Sequence, residues 1–139
     1  MLTLAIIKPD AVQTGNAGNV LAHLEKQGFT VRAARMVRLT TPQAEAFYAV
    51  HRERPFFRSL VTFMTSGPCI PLALEREGAV PHLREVIGAT DPAEAKAGTV
   101  RKLFAQSKER NAIHASDSAE NAAREVGFFF SEGELAALA

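Results

Sequence analysis

Apolar and polar positions along the chain predict short strands separated by helices. An apolar run over residues 2–7, ended by Pro9, predicts a buried first strand. Apolar residues then recur at helical spacing over residues 16–27, and Gly28 follows where a helix C-cap favours glycine. Alternation over residues 29–39 predicts a half-buried second strand. The first third of the chain is therefore expected to fold as strand, helix, strand.

The middle of the chain predicts two more helices and a third strand. Thr41 is expected to cap a helix that Pro42 opens, and a short helix is expected around residues 60–64. Residues 69–74 predict the third strand. Pro71 fits that strand poorly, because a proline lacks the N–H that a ladder hydrogen bond needs. The proline therefore favours an edge strand or a bulge.

Three elements are predicted in the last part of the chain. Apolar residues at helical spacing over 80–87 predict a helix that Gly88 ends, and a turn-rich surface stretch follows it. The segment DSAE at residues 117–120 has the spacing of a capping box, and its helix is expected to stop at Gly127. Residues 128–130 are then short enough to form an edge strand.

The order of these elements predicts an α+β fold, a ferredoxin-like βαββαβ antiparallel sheet sandwich with helical insertions and helices on one face. A single domain over residues 1–139 is expected, because 139 residues with 47% apolar content can close one core but not two. The net charge of +1 creates no overall field that recruits nucleic acid or an acidic membrane. The single cysteine, Cys69, excludes an intrachain disulfide and fits a reducing compartment. The first apolar run is too short for a membrane span and lacks the basic start of a signal peptide.

Cationic and polar residues fall at the predicted element ends and in loops, where a scaffold presents binding groups. If they met in space they would hold a polyphosphate, since arginine supplies forked donors and lysine a point charge. Sequence spacing alone favours the plainer interpretation of scattered surface groups, because distance along the chain does not assemble a cluster. These residues are Lys8, Arg84, Thr90, Arg101, Asn111 and His114.

The histidine in NAIHASDS has no cysteine or second histidine near it in sequence. His114 is therefore either a hydrogen-bonded loop residue or a nucleophile. Glu125 on the following helix could accept a hydrogen bond from one ring nitrogen and leave the other free for attack, with Ser116 bridging them. The alternatives are a solvated helix face and a turn hydroxyl. For Tyr48 and Phe56, core packing and contact with a ligand are both open.

Six segments resemble the nucleoside diphosphate kinase family in order and spacing across essentially the whole chain. They are AIIKPDAV, RERPFF, TSGP, GATDPAEAKAGTVR, NAIHASDS and EGE. The family signature N-x-x-H-G-S-D is matched except at Ala115, where glycine is usual, so the backbone there must tolerate a side chain. Lys108 stands where the family often has an apolar residue against the base, and its aliphatic stem could cover the ring.

The resemblance implies transfer of the γ-phosphate of a nucleoside triphosphate to a nucleoside diphosphate, with low base selectivity. The reaction would be ping-pong, through a phosphohistidine on His114. Ser116 and Glu125 would fix the ring, Tyr48 would lie near it, and Phe56 would stack on the base. The phosphates would be held by Lys8, Arg84, Thr90 and Arg101, and the sugar hydroxyls would be reached by Lys8 and Asn111.

The resemblance also implies the ion and the partners. Mg²⁺ would arrive bound to the nucleotide phosphates, with no metal site built from protein side chains. The short chain resembles the bacterial members of the family. The expected substrates are ribo- and deoxyribonucleotides, and the protein is expected to be a cytoplasmic homo-oligomer, a tetramer or hexamer, with no membrane and no obligatory nucleic acid as a partner. A catalytically silent nucleotide- or RNA-binding module is the rival, although no aromatic RNA-binding strand motif is present. A phosphodonor to histidines of other proteins would share the same intermediate.

Overall fold

The computed structural model describes residues 1–139 and contains one four-stranded antiparallel sheet. The strands are β1 (Leu2–Ile7), β2 (Thr30–Ala34), β3 (Ile70–Glu75) and β4 (Ile113–Ala115). They lie in the order β2-β3-β1-β4. The helices are α1 (Pro9–Gln13), α2 (Ala17–Lys26), α3 (Thr41–Phe47), α4 (Phe57–Met64), α5 (Ala79–Ile87), α6 (Val100–Phe104), α7 (Ala119–Phe129) and α8 (Glu132–Ala137), with a 3₁₀ turn at Ala49–His51. The predicted ferredoxin-like α+β arrangement with helical insertions is confirmed.

The sheet is covered on both faces, whereas the sequence predicted helices on one face. Alternate β1 side chains point in opposite directions, so Ala5 and Ile7 join one apolar cluster while Leu4 and Ile6 join another. Helices α1, α2, α5 and α6 supply the first cluster, and α3, α4 and α7 supply the second. The inserted helices are needed because β1 is apolar on both sides.

Helix α7 is longer than the sequence predicted, and the fourth strand lies elsewhere. The helix passes through Gly127, and the N–H of Phe130 donates to the carbonyl of Val126 at 2.9 Å. The predicted strand at residues 128–130 is therefore wrong. The fourth strand is the three-residue β4, which precedes α7 and pairs with β1.

The proline in β3 occupies a central strand, so the expected edge or bulge position is wrong. Strand β3 lies between β2 and β1, and the carbonyl of Pro71 accepts from the N–H of Arg35 at 3.2 Å. Arg35 comes after Ala34, the last residue of β2. The ring nitrogen thus faces Arg35 and cannot return a hydrogen bond to it, so the β2–β3 ladder ends at Ala34, opposite Leu72.

Two local features position the site or its supporting helices. The N-cap of α3 is Thr40 and not the predicted Thr41, because the Thr40 hydroxyl accepts from the Gln43 N–H in a capping box. Just after β1, the N–H of Lys8 donates to the carbonyl of Ala112 at 2.9 Å, so the end of β1 is tied to the approach to β4. No helix in the chain combines the length and apolar character that crossing a bilayer requires.

Candidate active site

The imidazole of His114 is held by a carboxylate from α7. His114 lies in β4 opposite Ile6 of β1, and its Nε2 is 2.7 Å from Oε1 of Glu125. The hydroxyl of Ser116 donates to the same carboxylate oxygen at 2.8 Å. Because an ionised carboxylate only accepts, Nε2 carries the proton and Nδ1 keeps its lone pair. The arrangement leaves Nδ1 as the ring nitrogen with a free lone pair, which is the form that a nucleophile requires.

Burial sets the charge state of this histidine. Loss of solvation lowers the pKa of His114 below its usual value, and the opposing effect of Glu125 is smaller. The ring is therefore neutral at pH 7. Glu125 is 9% exposed and Ser116 is fully buried, so the carboxylate that orients the ring is itself shielded from water.

Two aromatic side chains contact the histidine edge-on. The ring of Phe47 lies 5.3 Å from that of His114, and the ring of Tyr48 lies 6.0 Å from it, both centroid to centroid. The Tyr48 hydroxyl is buried without a hydrogen-bond partner, and burial raises the pKa of this group, so it stays protonated. Phe47 was not predicted as a site residue, because its helical apolar spacing is equally typical of a core position.

A buried lysine lies next to the histidine strand. Nζ of Lys8 donates to Oδ1 of Asn111 at 2.8 Å, and Nδ2 of Asn111 donates to the carbonyl of Thr90 at 3.3 Å. Burial lowers the pKa of Lys8 to about 8, with a further contribution from Arg101. The positive charge of Lys8 is therefore poorly solvated, and an anionic ligand would stabilise it.

Two arginines add further positive charge. Arg101 is 5% exposed and donates to the carbonyls of Gly88 at 3.1 Å and Ile113 at 2.8 Å, while its Nε is buried without a partner. Burial lowers the pKa of Arg101 to about 10, and the neighbouring Arg84 lowers it further. Arg84 donates to the carbonyl of Ala115 at 3.2 Å. Backbone carbonyls thus fix both guanidinium groups.

A pocket of about 520 Å³ brings these groups together. Its walls include every predicted site residue except Ser116, which lies behind Glu125. The scattered-surface interpretation is therefore wrong. The predicted residues that line the pocket are Lys8, Tyr48, Phe56, Arg84, Thr90, Arg101, Asn111, His114 and Glu125.

The pocket also has an apolar part, with Phe56 and Leu60 among its lining residues. Phe56 is 44% exposed, which leaves much of its side chain available to a ligand. Sequence reasoning missed several further lining residues, because the patterns that include them, such as the short helix at Leu60 and the capping box at Asp117, indicate secondary structure and not a binding site. They are Val50, His51, Leu60, Glu109, Asp117 and Asn121.

The alanine that replaces the family glycine does not strain the backbone. Ala115 lies in β4 and is not among the residues with positive φ. The residue with unusual geometry is Ala112, at φ +74°, the one non-glycine in the left-handed region. The orientation of His114 is therefore compatible with a side chain at position 115.

Comparison with known proteins agrees with this geometry. A family model described as "Nucleoside diphosphate kinase" matches residues 2–135. Nucleoside diphosphate kinases of Chlorobium limicola and Halorhodospira halophila are 58% and 57% identical over 133 residues, covering 96% of this chain and 95% and 94% of theirs. The Aquifex aeolicus structure has a TM-score of 0.94 at 47% identity, with 96% of both chains covered. The Halobacterium salinarum enzyme, in complex with CDP, has a TM-score of 0.92 at 34% identity, covering 96% of this chain and 90% of that one. The chain belongs to the nucleoside diphosphate kinase family.

Proposed function

We propose that Nδ1 of His114 carries the phosphoryl group in this enzyme's transfer of phosphate from nucleoside triphosphates to nucleoside diphosphates. The Nδ1 lone pair forms a bond to the γ-phosphorus as the bond to the bridging oxygen breaks, and the nucleoside diphosphate leaves. A terminal oxygen of a second diphosphate then attacks the phosphorus and the N–P bond breaks. The observation that carries this assignment is the contact between Nε2 and Glu125 in a pocket lined by fixed cations.

A histidine suits the energetics of this exchange. One phosphoanhydride is replaced by another, so the free energy change is close to zero and the covalent intermediate must be comparably reactive. An N–P bond to imidazole meets this requirement, whereas a serine phosphoester would trap the phosphate. The lowered pKa of His114 keeps the attacking nitrogen unprotonated at neutral pH.

The cations are assigned to the phosphates. Lys8, Arg84 and Arg101 would stabilise charge on the transferring group, and their carbonyl and amide contacts hold them in place before the substrate arrives. Thr90 would add a hydroxyl contact to a phosphate oxygen. Lys8 and Asn111 would also reach the sugar hydroxyls. Both ribo- and deoxyribonucleotides are proposed as substrates.

The remaining assignments concern the ring and the base. Glu125 and Ser116 would keep Nε2 protonated and stabilise the cationic ring formed on phosphorylation. Tyr48 would use its unpartnered hydroxyl as a donor near the transferring phosphate. Phe56 would stack on the base, and such a contact contributes about 1–3 kcal/mol for any base, so low base selectivity follows. Binding of CDP by the Halobacterium salinarum relative fits an acceptor of this class.

Mg²⁺ is proposed to enter with the nucleotide. The chain contains no group of three His, Cys, Asp or Glu side chains placed to hold a metal ion. Among the three pocket carboxylates, Glu125 is engaged with His114 and Ser116, and Glu109 accepts from the Ser59 hydroxyl. Asp117 is exposed and accepts only from the Asn121 side chain. A donor set of this kind fits a Mg²⁺ held mainly by phosphates and water, with Asp117 as the carboxylate able to contact its water shell. The ion would neutralise phosphate charge.

A cytoplasmic homo-oligomer, a tetramer or hexamer, is proposed. Strand β2 is an edge strand of the sheet, and Met36 just beyond it is 59% exposed. Unpaired strand edges are commonly covered in native proteins, and a second copy of the chain would do so here. The free thiol of Cys69 suits a reducing compartment. Light scattering that returns the mass of one chain would refute the oligomer.

The function is tested by phosphate exchange between different nucleotides. The purified protein is incubated with ATP and one acceptor at a time, which is GDP, CDP, UDP or dTDP. The triphosphate formed from that acceptor is measured. We expect exchange with every acceptor and none with His114→Asn. Nucleotide binding in a thermal-shift titration without exchange would instead favour the binding module.

A further inference from the structure

A rare backbone turn lies between two residues of the site. Ala112 has φ +74°, and the N–H of Ile113 donates to the carbonyl of Asn111 at 2.9 Å. A hydrogen bond between residues i and i+2 around a central φ near +75° defines a γ-turn of the strained kind. Alanine adopts such a φ at a cost that glycine avoids. Strained residues persist only where their surroundings hold them, so the neighbours of Ala112 must stabilise this conformation.

Both backbone groups of Ala112 are held by the junction of β1 and α1. Its N–H donates to Oδ2 of Asp10 at 3.0 Å, and its carbonyl accepts from the N–H of Lys8 at 2.9 Å. Ala112 is fully buried and Asp10 is 2% exposed, so water does not compete for these bonds. Asp10 and Lys8 thus hold the N–H and the carbonyl of the central residue of the turn.

The carboxylate of Asp10 has no evident role in packing or in substrate contact. It does not line the pocket, and its Oδ1 is buried without a hydrogen-bond partner. Burial raises the pKa of Asp10, and the bond from Ala112 opposes that rise. Burying an incompletely paired carboxyl group is unfavourable, so an apolar residue would serve better if packing were the only requirement.

We propose that Asp10 is a positioning residue for phosphoryl transfer, acting through the turn at Ala112. On one side of this turn, Asn111 holds Nζ of Lys8, and on the other, His114 follows after a single residue. The carboxylate keeps the turn in its strained form and thereby sets the lysine and the imidazole relative to each other. This inference rests on the proposed role of His114.

The test is a double-mutant cycle between Asp10 and Ala112. Single-turnover phosphorylation by labelled ATP is measured for wild type, Asp10→Ala, Ala112→Gly and the double variant, well below each melting temperature. We expect Asp10→Ala to slow phosphorylation by about tenfold, because a hydrogen bond to a charged acceptor is lost. In the Ala112→Gly background, the loss of rate caused by Asp10→Ala is expected to be at least about threefold smaller. Glycine adopts a positive φ without needing the hydrogen bond to Asp10.

Two controls separate positioning from general stability. Ser131→Ala removes the hydroxyl that caps α8, outside the pocket, and is expected to lower the melting temperature without changing the rate. If Asp10→Ala does not fold, Asp10→Asn replaces it, with an expected loss of about two- to fivefold because a neutral acceptor is weaker. That loss is also expected to shrink in the Ala112→Gly background.

The outcomes that overturn the inference are distinct from those that overturn the function. A wild-type rate in the folded Asp10 variant, or an equal loss in both backgrounds, would show that Asp10 does not act through the turn. A wild-type protein that takes up no label would instead refute the phosphohistidine on His114.

Discussion

Replacing Glu125 by glutamine removes one charge from the site while keeping its shape. The carboxylate oxygen lies 2.7 Å from Nε2 of His114 and 2.8 Å from the Ser116 hydroxyl, and an amide oxygen can accept from both groups. What is lost is stabilisation of the ring as it becomes cationic on attack. The variant therefore separates the electrostatic contribution of Glu125 from its contribution to geometry.

The size of the effect follows from the two kinds of hydrogen bond. A bond to a charged group contributes about 1.5–3 kcal/mol and a neutral one about 0.5–1.5 kcal/mol. The difference of about 1–1.5 kcal/mol corresponds to a loss of about 5- to 13-fold in the phosphorylation rate. Glu125→Ala removes the acceptor altogether, and we expect a loss of about 10- to 150-fold.

The pH profile provides a second result from the same variant. Glu125 raises the pKa of His114 against the larger lowering by burial, so Glu125→Gln should move that pKa further down. Because the neutral ring is the nucleophile, activity is lost as pH falls through this pKa. We therefore expect the acid limb of the rate profile to shift to lower pH in Glu125→Gln.

The assay is quenched-flow single turnover with γ-labelled ATP over a range of pH. Ser116→Ala is the matched control, because it removes the hydroxyl that steadies Glu125 but leaves the charge, and it should lose less than Glu125→Gln. A wild-type rate for Glu125→Gln with an unmoved acid limb would refute the role assigned to this carboxylate.

Three further predictions test the phosphate site, the base site and the fold. The pKa of Lys8, lowered to about 8, means that its charge is lost as pH rises through that value, so the Kd for ADP should rise above pH 8 in calorimetry, and Lys8→Arg should flatten this dependence. Phe56→Ala should weaken nucleotide binding by about 1–3 kcal/mol to a similar extent for every base, and a loss confined to one base would contradict stacking. Gly127→Ala should raise the free energy of unfolding by about 0.5–1 kcal/mol in denaturant titrations, because this helical glycine has open space around it. Gly88→Ala should lower the free energy of unfolding, because φ is +88° and an added Cβ would lie 2.6 Å from the Thr99 hydroxyl oxygen. Equal effects of the two changes would contradict the different backbone conformations of these two glycines.

The parts of the fold that the sequence predicted are those with strong periodicity. Strand β1 and helices α2 and α5 each show several apolar residues at regular spacing and end at a proline or glycine. Strand β4 has only three residues, too few for any period, while the apolar residues 128–130 attracted the strand prediction instead. Helix α6 has five residues and lies in a turn-rich stretch, so it is also too short to show a helical period.

The candidate site was predictable only where it is local in sequence. Ser116 and Glu125 follow His114 closely, so a contact among the three could be proposed from spacing. The approach of Lys8 to the histidine depends on the pairing of β1 with β4, which the sequence did not reveal. The same pairing accounts for Asp10, which reaches Ala112 across a large separation in sequence. The family resemblance identified residues that physical reasoning alone left scattered.

The most direct test of the account is the position of the phosphate on the imidazole ring. The protein is phosphorylated with ATP, and the isomer of phosphohistidine is determined by ³¹P NMR and by mass spectrometry of the peptide that contains residue 114. Because Nε2 is engaged by Glu125, the phosphate is expected on Nδ1, in an adduct that is labile to acid and stable to alkali, and His114→Asn should carry none. Phosphate on Nε2, or label that persists in His114→Asn, would contradict the central claim.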